Sequence, residues 1–356
     1  MTQTLRAACI GLQHGHSRGL IETFKILEGV EVAAFCDDTD ADALEKLKAD
    51  HPDADCFLSL DDLLANCEFD LACLTLPANE APVAGRKLAL AGKHFLHEKS
   101  LTRKAEDMLP MLEAVRENNI KVLAYYPWRG HPAIRGLKEL LDDGTLGRPL
   151  ALHAQLITTQ VREGLRSPTN IAYRDDTEGG GLLHMEGGHW LEAMRFLLGC
   201  EVSAVTALCR PVVGNMPGEN MDDVSAVGLE FENGVVGNLH MGYLQAVSGS
   251  KDYGLQFWGT EGSAKWYPMG SATLQVTSRA WGEPVNREIE FELPERPGVY
   301  GGKQWMVDLV QDLVQAIHED REPAITAVDG YRTHQVIDCA YESSRTGRRV
   351  EVTYSA

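Results

Sequence analysis

DLACLTLPANEAPVAGRKLALAGKHFLHEKSL, residues 70–101, predicts a strand, a helix and a second strand in succession. Leu71 to Leu76 is a short, almost continuous apolar run, typical of a strand covered on both faces of a parallel sheet. The alanine-rich segment after it stops at Gly92, a natural residue for a helix end, and the next strand ends in Glu98 and Lys99. Ligands bind at the carboxyl ends of parallel strands, so Lys99 is positioned for chemistry. A surface Glu-Lys pair is the ordinary alternative.

The amino-terminal segment predicts another strand, turn and helix. Leu5 to Ile10 is apolar, Gly11 follows, and an amphipathic helix comes next. A dinucleotide fingerprint has the form G-x-G-x-x-G, whereas this chain has GLQHGH, with Gln13 and His16 at the second and third glycine positions. Amide groups at a helix start still attract phosphate, so we predict a variant pyrophosphate loop in which Gly11, Gln13, His14 and His16 contact the cofactor. Metal binding is the alternative for the two histidines, but a site needs further ligands, and no metal ligand is predicted.

The second strand, Val30 to Cys36, ends in Asp37 and Asp38. A carboxylate at this strand end accepts hydrogen bonds from the ribose hydroxyls and repels a 2′-phosphate, which favours NAD over NADP. Asp38 or Thr39 is expected to cap the helix that starts near Asp40, so we assign Asp37 to the ribose and keep Asp38 as a second cofactor contact. Residues at the ends of other strands are further predicted cofactor contacts: Pro77, Asn79, Glu98 and Lys99.

The remaining pattern predicts two domains. Strands and helices alternate as far as Pro127, which indicates a doubly wound Rossmann sheet over residues 1–125. Residues 126–356 contain many short strand-like runs and the hairpin signal Asn233-Gly234, so we expect an α+β domain with a large, mostly antiparallel sheet. Two helices, Trp305 to Ile317 and Gly330 to Ser344, are predicted to close this domain.

Composition narrows the class of protein. The 356 residues are 44% hydrophobic without a long apolar run, which is typical of a globular protein rather than a membrane protein. The net charge of -19 argues against nucleic acid or an anionic membrane surface as a partner. The 8 cysteines lack the paired spacing of a zinc site and no signal peptide is evident, so a cytoplasmic protein with reduced thiols is expected.

Two segments resemble one known family. AGKHFLHEKSL, residues 91–101, is similar to the "aGKHVlcEKPla" segment of the Gfo/Idh/MocA oxidoreductases, and EGGGLLHMEGGHWLEAMRFLLG, residues 178–199, resembles their "GGGaLlDlGvHxiDllrfLlG". The resemblance implies that Lys99 and His189 match the family's active-site lysine and histidine. This chain departs from the pattern at two positions, because Ser100 replaces the usual proline and Met185 replaces an aspartate four residues before the histidine.

Glu186 is the candidate substitute for the missing carboxylate. Residues three or four apart share a helix face, so Glu186 at i and His189 at i+3 are within reach of each other. His184, Glu186 and His189 also permit a metal interpretation, but on a regular helix the two histidines lie about 140° apart, which is poor geometry for one ion.

Two arginines are predicted substrate ligands. Arg129, in WRGHP, resembles part of the family's "RfhP" element, and Arg174 lies in a segment similar to the loop before the glycines. Arginine grips hydroxyls or carboxylates well, while interdomain salt bridging is the alternative.

The resemblance implies hydride transfer between NAD and a hydroxyl carbon of a sugar, polyol or related compound, with Lys99, His189 and Glu186 as catalytic residues and Lys99, Arg129, Arg174 and His189 as substrate ligands. A nucleotide-binding sensor, or an enzyme that recycles NAD internally during elimination or glycoside cleavage, stays open because the aspartate is missing. A homodimer or homotetramer is expected, since family members pair through the sheet of the second domain.

Overall fold

The computed structural model describes residues 3–161, 180–214, 216, 218, 221–247, 252–267, 270–283 and 285–355. These residues form two β-sheets, one of six strands and one of nine. Each sheet has its own apolar core.

The first sheet is entirely parallel, with strand order β3-β2-β1-β4-β5-β6. Its strands are β1 (Leu5–Ile10), β2 (Val30–Cys36), β3 (Asp55–Phe57), β4 (Leu71–Leu74), β5 (His94–Glu98) and β6 (Val122–Tyr125). The connecting helices are α1 (Ser17–Lys25), α2 (Ala41–Asp50), α3 (Leu60–Asn66), α4 (Ala81–Leu90) and α5 (Leu109–Glu117). The strand order reverses between β1 and β4, so the ligand crevice of such a sheet lies beyond the carboxyl ends of these two strands.

The second sheet is mixed but mostly antiparallel, with order β14-β13-β12-β11-β7-β10-β9-β8-β15. Its strands are β7 (Pro149–Thr159), β8 (Val202–Arg210), β9 (Val224–Phe231), β10 (Val236–Gln245), β11 (Asp252–Gly259), β12 (Gly262–Trp266), β13 (Thr273–Ser278), β14 (Val285–Glu290) and β15 (Val350–Glu351). Only β7 and β10 pair in parallel among these described strands. Gly234 turns the β9–β10 hairpin with a φ of 81°, as the Asn-Gly signal predicted. The predicted combination of a Rossmann sheet with a mostly antiparallel α+β domain is confirmed.

Two helices near the carboxyl terminus join the domains. The later helices are α6 (Pro132–Asp142), α7 (Gly188–Leu198), α8 (Gln304–Glu319) and α9 (Ala327–Thr346), and a π-helical turn, Leu183–Gly187, precedes α7. The sequence assigned α8 to the second domain, but Val310 and Leu313 are fully buried in the core of the first. Helix α9 contributes Tyr331 to the first core and Ile337 to the second.

A 3₁₀ turn, Ala105–Met108, precedes α5, whose start is favoured by Pro110 in its first turn. None of the described helices combines the length and the apolar character needed to cross a membrane. All the cysteines are free thiols.

Candidate active site

Lys99 follows the last residue of β5, at the carboxyl edge of the first sheet. Its side chain is largely buried, and its Nζ lies 3.3 Å from the backbone oxygen of Met185 and 3.3 Å from Glu186 Oε1. The Lys99–Ser100 peptide bond is cis. The Lys99 side chain therefore extends from the first domain and contacts the segment of the second domain that carries the glycine-rich motif.

The π-helical turn Leu183–Gly187 determines which side chain meets Lys99. A π turn closes hydrogen bonds from i to i+5 and so inserts one extra residue relative to an α-helix, and such turns are frequent at functional sites. The side chain of Met185 is buried, whereas Glu186 extends to Lys99 and places Oε2 3.9 Å from His189 Nε2. Glu186 therefore approaches both the Lys99 amine and the His189 imidazole. The family's pattern has an aspartate one residue earlier, where this chain has Met185.

His189 lies in the first turn of α7 and is 5% exposed. Its ring packs edge-on against Tyr126, with centroids 5.6 Å apart. Burial, and then the charge of Lys99, holds the pKa of the imidazole well below its usual value. His189 is therefore uncharged at neutral pH.

Asp222 anchors the π-helical turn from behind. Its Oδ1 accepts hydrogen bonds from Gly181 N at 3.1 Å and from the Tyr341 hydroxyl at 2.7 Å, and its Oδ2 accepts from Leu183 N at 3.1 Å and from the Ser225 hydroxyl. A Cβ on Gly181 would lie 2.1 Å from the backbone oxygen of Asp222, so only glycine permits this approach. Sequence reasoning missed Asp222 and Tyr341, since nothing in their local pattern points to a segment more than 30 residues away.

The loop between β1 and α1 fits a dinucleotide. Gly11 has a φ of 88°, and a Cβ there would lie 2.8 Å from the backbone of Thr75, so a larger residue is excluded. The Thr75 hydroxyl donates to Gly11 O at 2.5 Å, which joins the ends of β1 and β4 at the switch point. A Cβ at Gly15 would meet nothing within 4 Å, so the loop borders open space next to the first turn of α1.

Asp37, the predicted ribose ligand, directly follows the last residue of β2. It is buried, its Oδ2 accepts from Leu12 N at 2.6 Å, and its Oδ1 accepts from the backbone amides of Thr39 and Asp40 at 2.8 Å. These bonds hold the loop after β1 against the end of β2. Asp38 is exposed and is the carboxylate of this pair that faces outward. The roles of both residues at the cofactor stay predictions.

The histidines of the loop meet Glu98. His16 Nδ1 lies 2.6 Å from Glu98 Oε1, and His16 Nε2 lies 3.3 Å from the Tyr300 hydroxyl. The His14 ring packs edge-on against the His16 ring at 4.7 Å. Burial raises the pKa of the Glu98 carboxyl to about 7.

Other predicted cofactor contacts lie around the same edge of the sheet. Gln13 donates through Nε2 to the Thr39 hydroxyl at 2.5 Å. Pro77 is partly buried and Asn79 is exposed, both directly after β4. Their proposed contacts with a cofactor stay predictions.

The two predicted arginines have different outcomes. Arg129 pairs with the buried Glu192, lies 3.7 Å from Asp329 and donates to the backbone oxygen of Ala324. These contacts form an ion-pair network within residues 126–356, and the contact of Arg129 with a substrate stays a prediction. Arg174 lies outside the described residues.

The metal interpretation of His184, Glu186 and His189 does not match the geometry. The His184 ring packs against the His334 ring, with centroids 5.3 Å apart. Within the described ranges, the single group of three ligand atoms close enough for one ion is His14, His16 and Glu98.

Comparisons with known proteins agree with this architecture. Residues 5–126 match an oxidoreductase family with an NAD-binding Rossmann fold, and residues 134–265 match the GFO/IDH/MocA C-terminal domain. The levoglucosan dehydrogenase of Pseudarthrobacter phenanthrenivorans is 25% identical over 74% of this chain and 75% of its own. The 1,5-anhydro-D-fructose reductase of Ensifer adhaerens is 26% identical over 74% of this chain and 73% of its own.

A solved structure supports the fold over nearly the whole chain. It is an oxidoreductase from Agrobacterium radiobacter in complex with NAD+, L-tartaric acid and magnesium. The TM-score is 0.83 at 19% identity, covering 98% of this chain and 99% of that one. At this identity the likeness shows the fold alone.

Proposed function

The chain belongs to the Gfo/Idh/MocA family of oxidoreductases, and on that basis we propose that it transfers hydride between NAD and a hydroxyl carbon of a sugar, polyol or related compound. The observation that carries the proposal is the meeting of Lys99, Glu186 and His189, which come from two domains. An amine, a carboxylate and an uncharged imidazole at the mouth of an NAD-binding sheet suit the oxidation of an alcohol.

The amino-terminal domain binds NAD, as its family match indicates. The residues present fit this cofactor because the loop borders open space at Gly15, and α1 begins directly after the loop. Gly11, Gln13 and the amide groups of the loop would hold the pyrophosphate, and Asp38 with Asp37 would lie at the adenosine ribose. NAD supplies the hydride acceptor when it is bound.

The residues of the chain handle the proton and the charge on oxygen. His189, kept uncharged by burial, accepts the proton of the substrate hydroxyl. The Lys99 ammonium, 3.3 Å from the Glu186 carboxylate, stabilises negative charge that develops on the substrate oxygen. Glu186 orients both groups. The sugar-directed activities named for the two relatives support a polyhydroxylated substrate.

The test measures formation of reduced nicotinamide by absorbance with a panel of sugars and polyols. We expect Lys99→Met to lower turnover by about 100-fold or more, the range for loss of a group that acts on the proton or charge in the transition state. Lys87→Met is the matched control, since Lys87 pairs with Asp61 on the surface. Equal turnover in the Lys99→Met protein would remove Lys99 from the mechanism. Tight NAD binding without net reduction on any substrate would favour the sensor or the NAD-recycling enzyme.

We also propose that the chain forms a homodimer or homotetramer through the outer face of the second sheet. Leu208, Val236 and Trp258 are 59%, 60% and 41% exposed, and the strand registers place them on one face. Exposed apolar groups on a sheet face are typical of an interface between subunits. Trp258→Glu should shift the chain toward monomer in size-exclusion chromatography with light scattering, whereas an unchanged mass would place the interface elsewhere.

A further inference from the structure

We infer that His14, His16 and Glu98 form a binding site for one divalent transition-metal ion beside the cofactor loop. The inference goes beyond the proposed hydride transfer and does not depend on it. The three residues each offer one ligand atom, and these atoms all lie within 4.8 Å of one another. Two imidazoles and one carboxylate are a donor set used for zinc and for non-haem iron, and imidazole disfavours magnesium and calcium.

Glu98 provides an independent indication that something is bound here. Its side chain is 2% exposed, and its Oε2 has no hydrogen-bond partner among the described residues. A buried carboxylate oxygen without a partner is costly, and nearly all such atoms in proteins are satisfied. An ion bound to His16 Nδ1 and Glu98 would replace the hydrogen that His16 Nδ1 and Glu98 Oε1 share across 2.6 Å, and these two atoms would move apart to admit metal–ligand bonds of about 2 Å. The ion would give the glutamate a charged partner.

The surroundings already hold the ligands in place. Tyr300 OH lies 3.3 Å from His16 Nε2, the ring nitrogen opposite the one that faces Glu98. Metal-bound histidines usually have such a partner on the second nitrogen, which fixes the ring orientation. The His14 ring packs against the His16 ring, with centroids 4.7 Å apart. If His14 Nδ1 bound the ion, it would lose one hydrogen bond, which it accepts from the His16 amide at 3.2 Å.

The positive charge next to the cluster has its own partner. Lys99 Nζ lies 3.3 Å from Glu186 Oε1, so a second carboxylate balances the ammonium that follows Glu98 in sequence. An ion there would tie the loop after β1 to the end of β5, one residue before Lys99.

The experiment uses the full chain without NAD or substrate, so that its outcome is separate from that of the proposed function. The protein is stripped with a chelator, and Zn²⁺ is then titrated while the bound ion is counted by elemental analysis. We expect one Zn²⁺ per chain. His14→Gln, His16→Gln and Glu98→Gln should each weaken binding by at least about 100-fold, since loss of an outer partner alone costs roughly 10–100-fold.

Two further variants make the result specific. Tyr300→Phe should weaken Zn²⁺ binding by only about 10-fold, because it removes the orienting hydroxyl and no ligand. His318→Gln, in the last turn of α8, should leave binding unchanged. Co²⁺ provides a second readout, since its visible absorption should appear in the wild-type protein and be absent in His16→Gln. Zn²⁺ binding that is absent in the wild type, or equal in wild type and folded His14→Gln protein, would overturn the inference.

Discussion

Glu186 lies one position after the residue at which the family's pattern has a carboxylate. The family's pattern has an aspartate where this chain has Met185, yet a carboxylate still lies 3.3 Å from Lys99. In this chain the π-helical turn carries Glu186, and the glutamate side chain is long enough to bring its carboxylate to Lys99. The site therefore keeps an amine, a carboxylate and an imidazole.

Removing the charge at this residue should separate its role from that of its neighbours. We expect Glu186→Gln to lower kcat by about 100-fold, because the carboxylate that orients Lys99 and His189 is lost. Glu186→Asp should retain part of the activity. The measurement is steady-state turnover on the best substrate of the sugar panel. Glu106→Gln, on an exposed glutamate, is the control, and equal kcat in Glu186→Gln and this control would exclude Glu186 from the reaction.

At the scale of elements, the π-helical turn depends on a buried network behind it. The Tyr341 hydroxyl donates to Asp222 at 2.7 Å and accepts from the backbone amides of Gly181 and His184, each at 3.2 Å. These bonds come from α9 and from the segment before β9, so the turn that carries Glu186 is positioned by elements distant in sequence. Buried polar networks of this kind specify one geometry when every member is satisfied.

Tyr341→Phe should loosen the turn without touching the reacting groups. We expect a loss of about 1–3 kcal/mol in the free energy of unfolding, since the hydroxyl partners are left buried and unpaired. We also expect a fall in kcat of about 10-fold, because Glu186 is no longer held opposite Lys99. Tyr354→Phe is the matched control, as it removes one hydrogen bond to Val202 O far from the turn. A kcat that falls equally in both variants would mean that the network acts only through stability.

At the scale of the whole molecule, α9 belongs to both cores and carries a buried histidine. His334 packs against His184 of the π-helical turn, and neither ring has a hydrogen-bond partner for its nitrogens among the described residues. Burial lowers the pKa of His184 to about 4 and the pKa of His334 well below its usual value. Both rings are therefore uncharged in the folded protein.

This arrangement predicts a loss of stability in mild acid. A histidine with a lowered pKa in the folded state contributes stability that is fully present above its unfolded value near 6.5 and is lost as the pH falls toward the folded value. Between pH 7 and pH 5, the wild-type free energy of unfolding should fall by about 1–2 kcal/mol more than that of His334→Gln. Denaturant unfolding at each pH measures the difference. His318→Gln should follow the wild-type curve, and parallel curves for wild type and His334→Gln would contradict the prediction.

Much of the architecture could be predicted from local patterns. Apolar runs such as Leu71 to Leu76, with turn residues after them, located the strands of the first sheet and placed Lys99 at a strand end. Contacts between distant segments could not be predicted. His16 and Glu98 are 82 residues apart, and no local pattern indicates that they touch. The π-helical turn is equally hidden, because its single extra residue leaves no periodic signal.

Local patterns also could not predict how α8 packs, because the sequence of an amphipathic helix does not show which core the helix covers. Its apolar residues, including Val310 and Leu313, lie in the core of the first domain, and the backbone amide of Ala124 in β6 donates to Ile325 O at 3.0 Å. Hydrophobic periodicity gave the helix and its approximate bounds. Only the three-dimensional arrangement shows its partner.

The packing of α8 against the first domain has a consequence for biosynthesis. A domain that is complete in sequence normally folds as soon as it leaves the ribosome. Here the first six strands emerge early, but α8, the helix that shields part of their core, is translated only after all but the last strand of the second sheet. Part of the apolar surface of the nascent amino-terminal domain therefore stays uncovered while some two hundred more residues are translated. Chaperone demand should therefore peak midway through translation, and a fragment ending near residue 125 should aggregate when expressed alone.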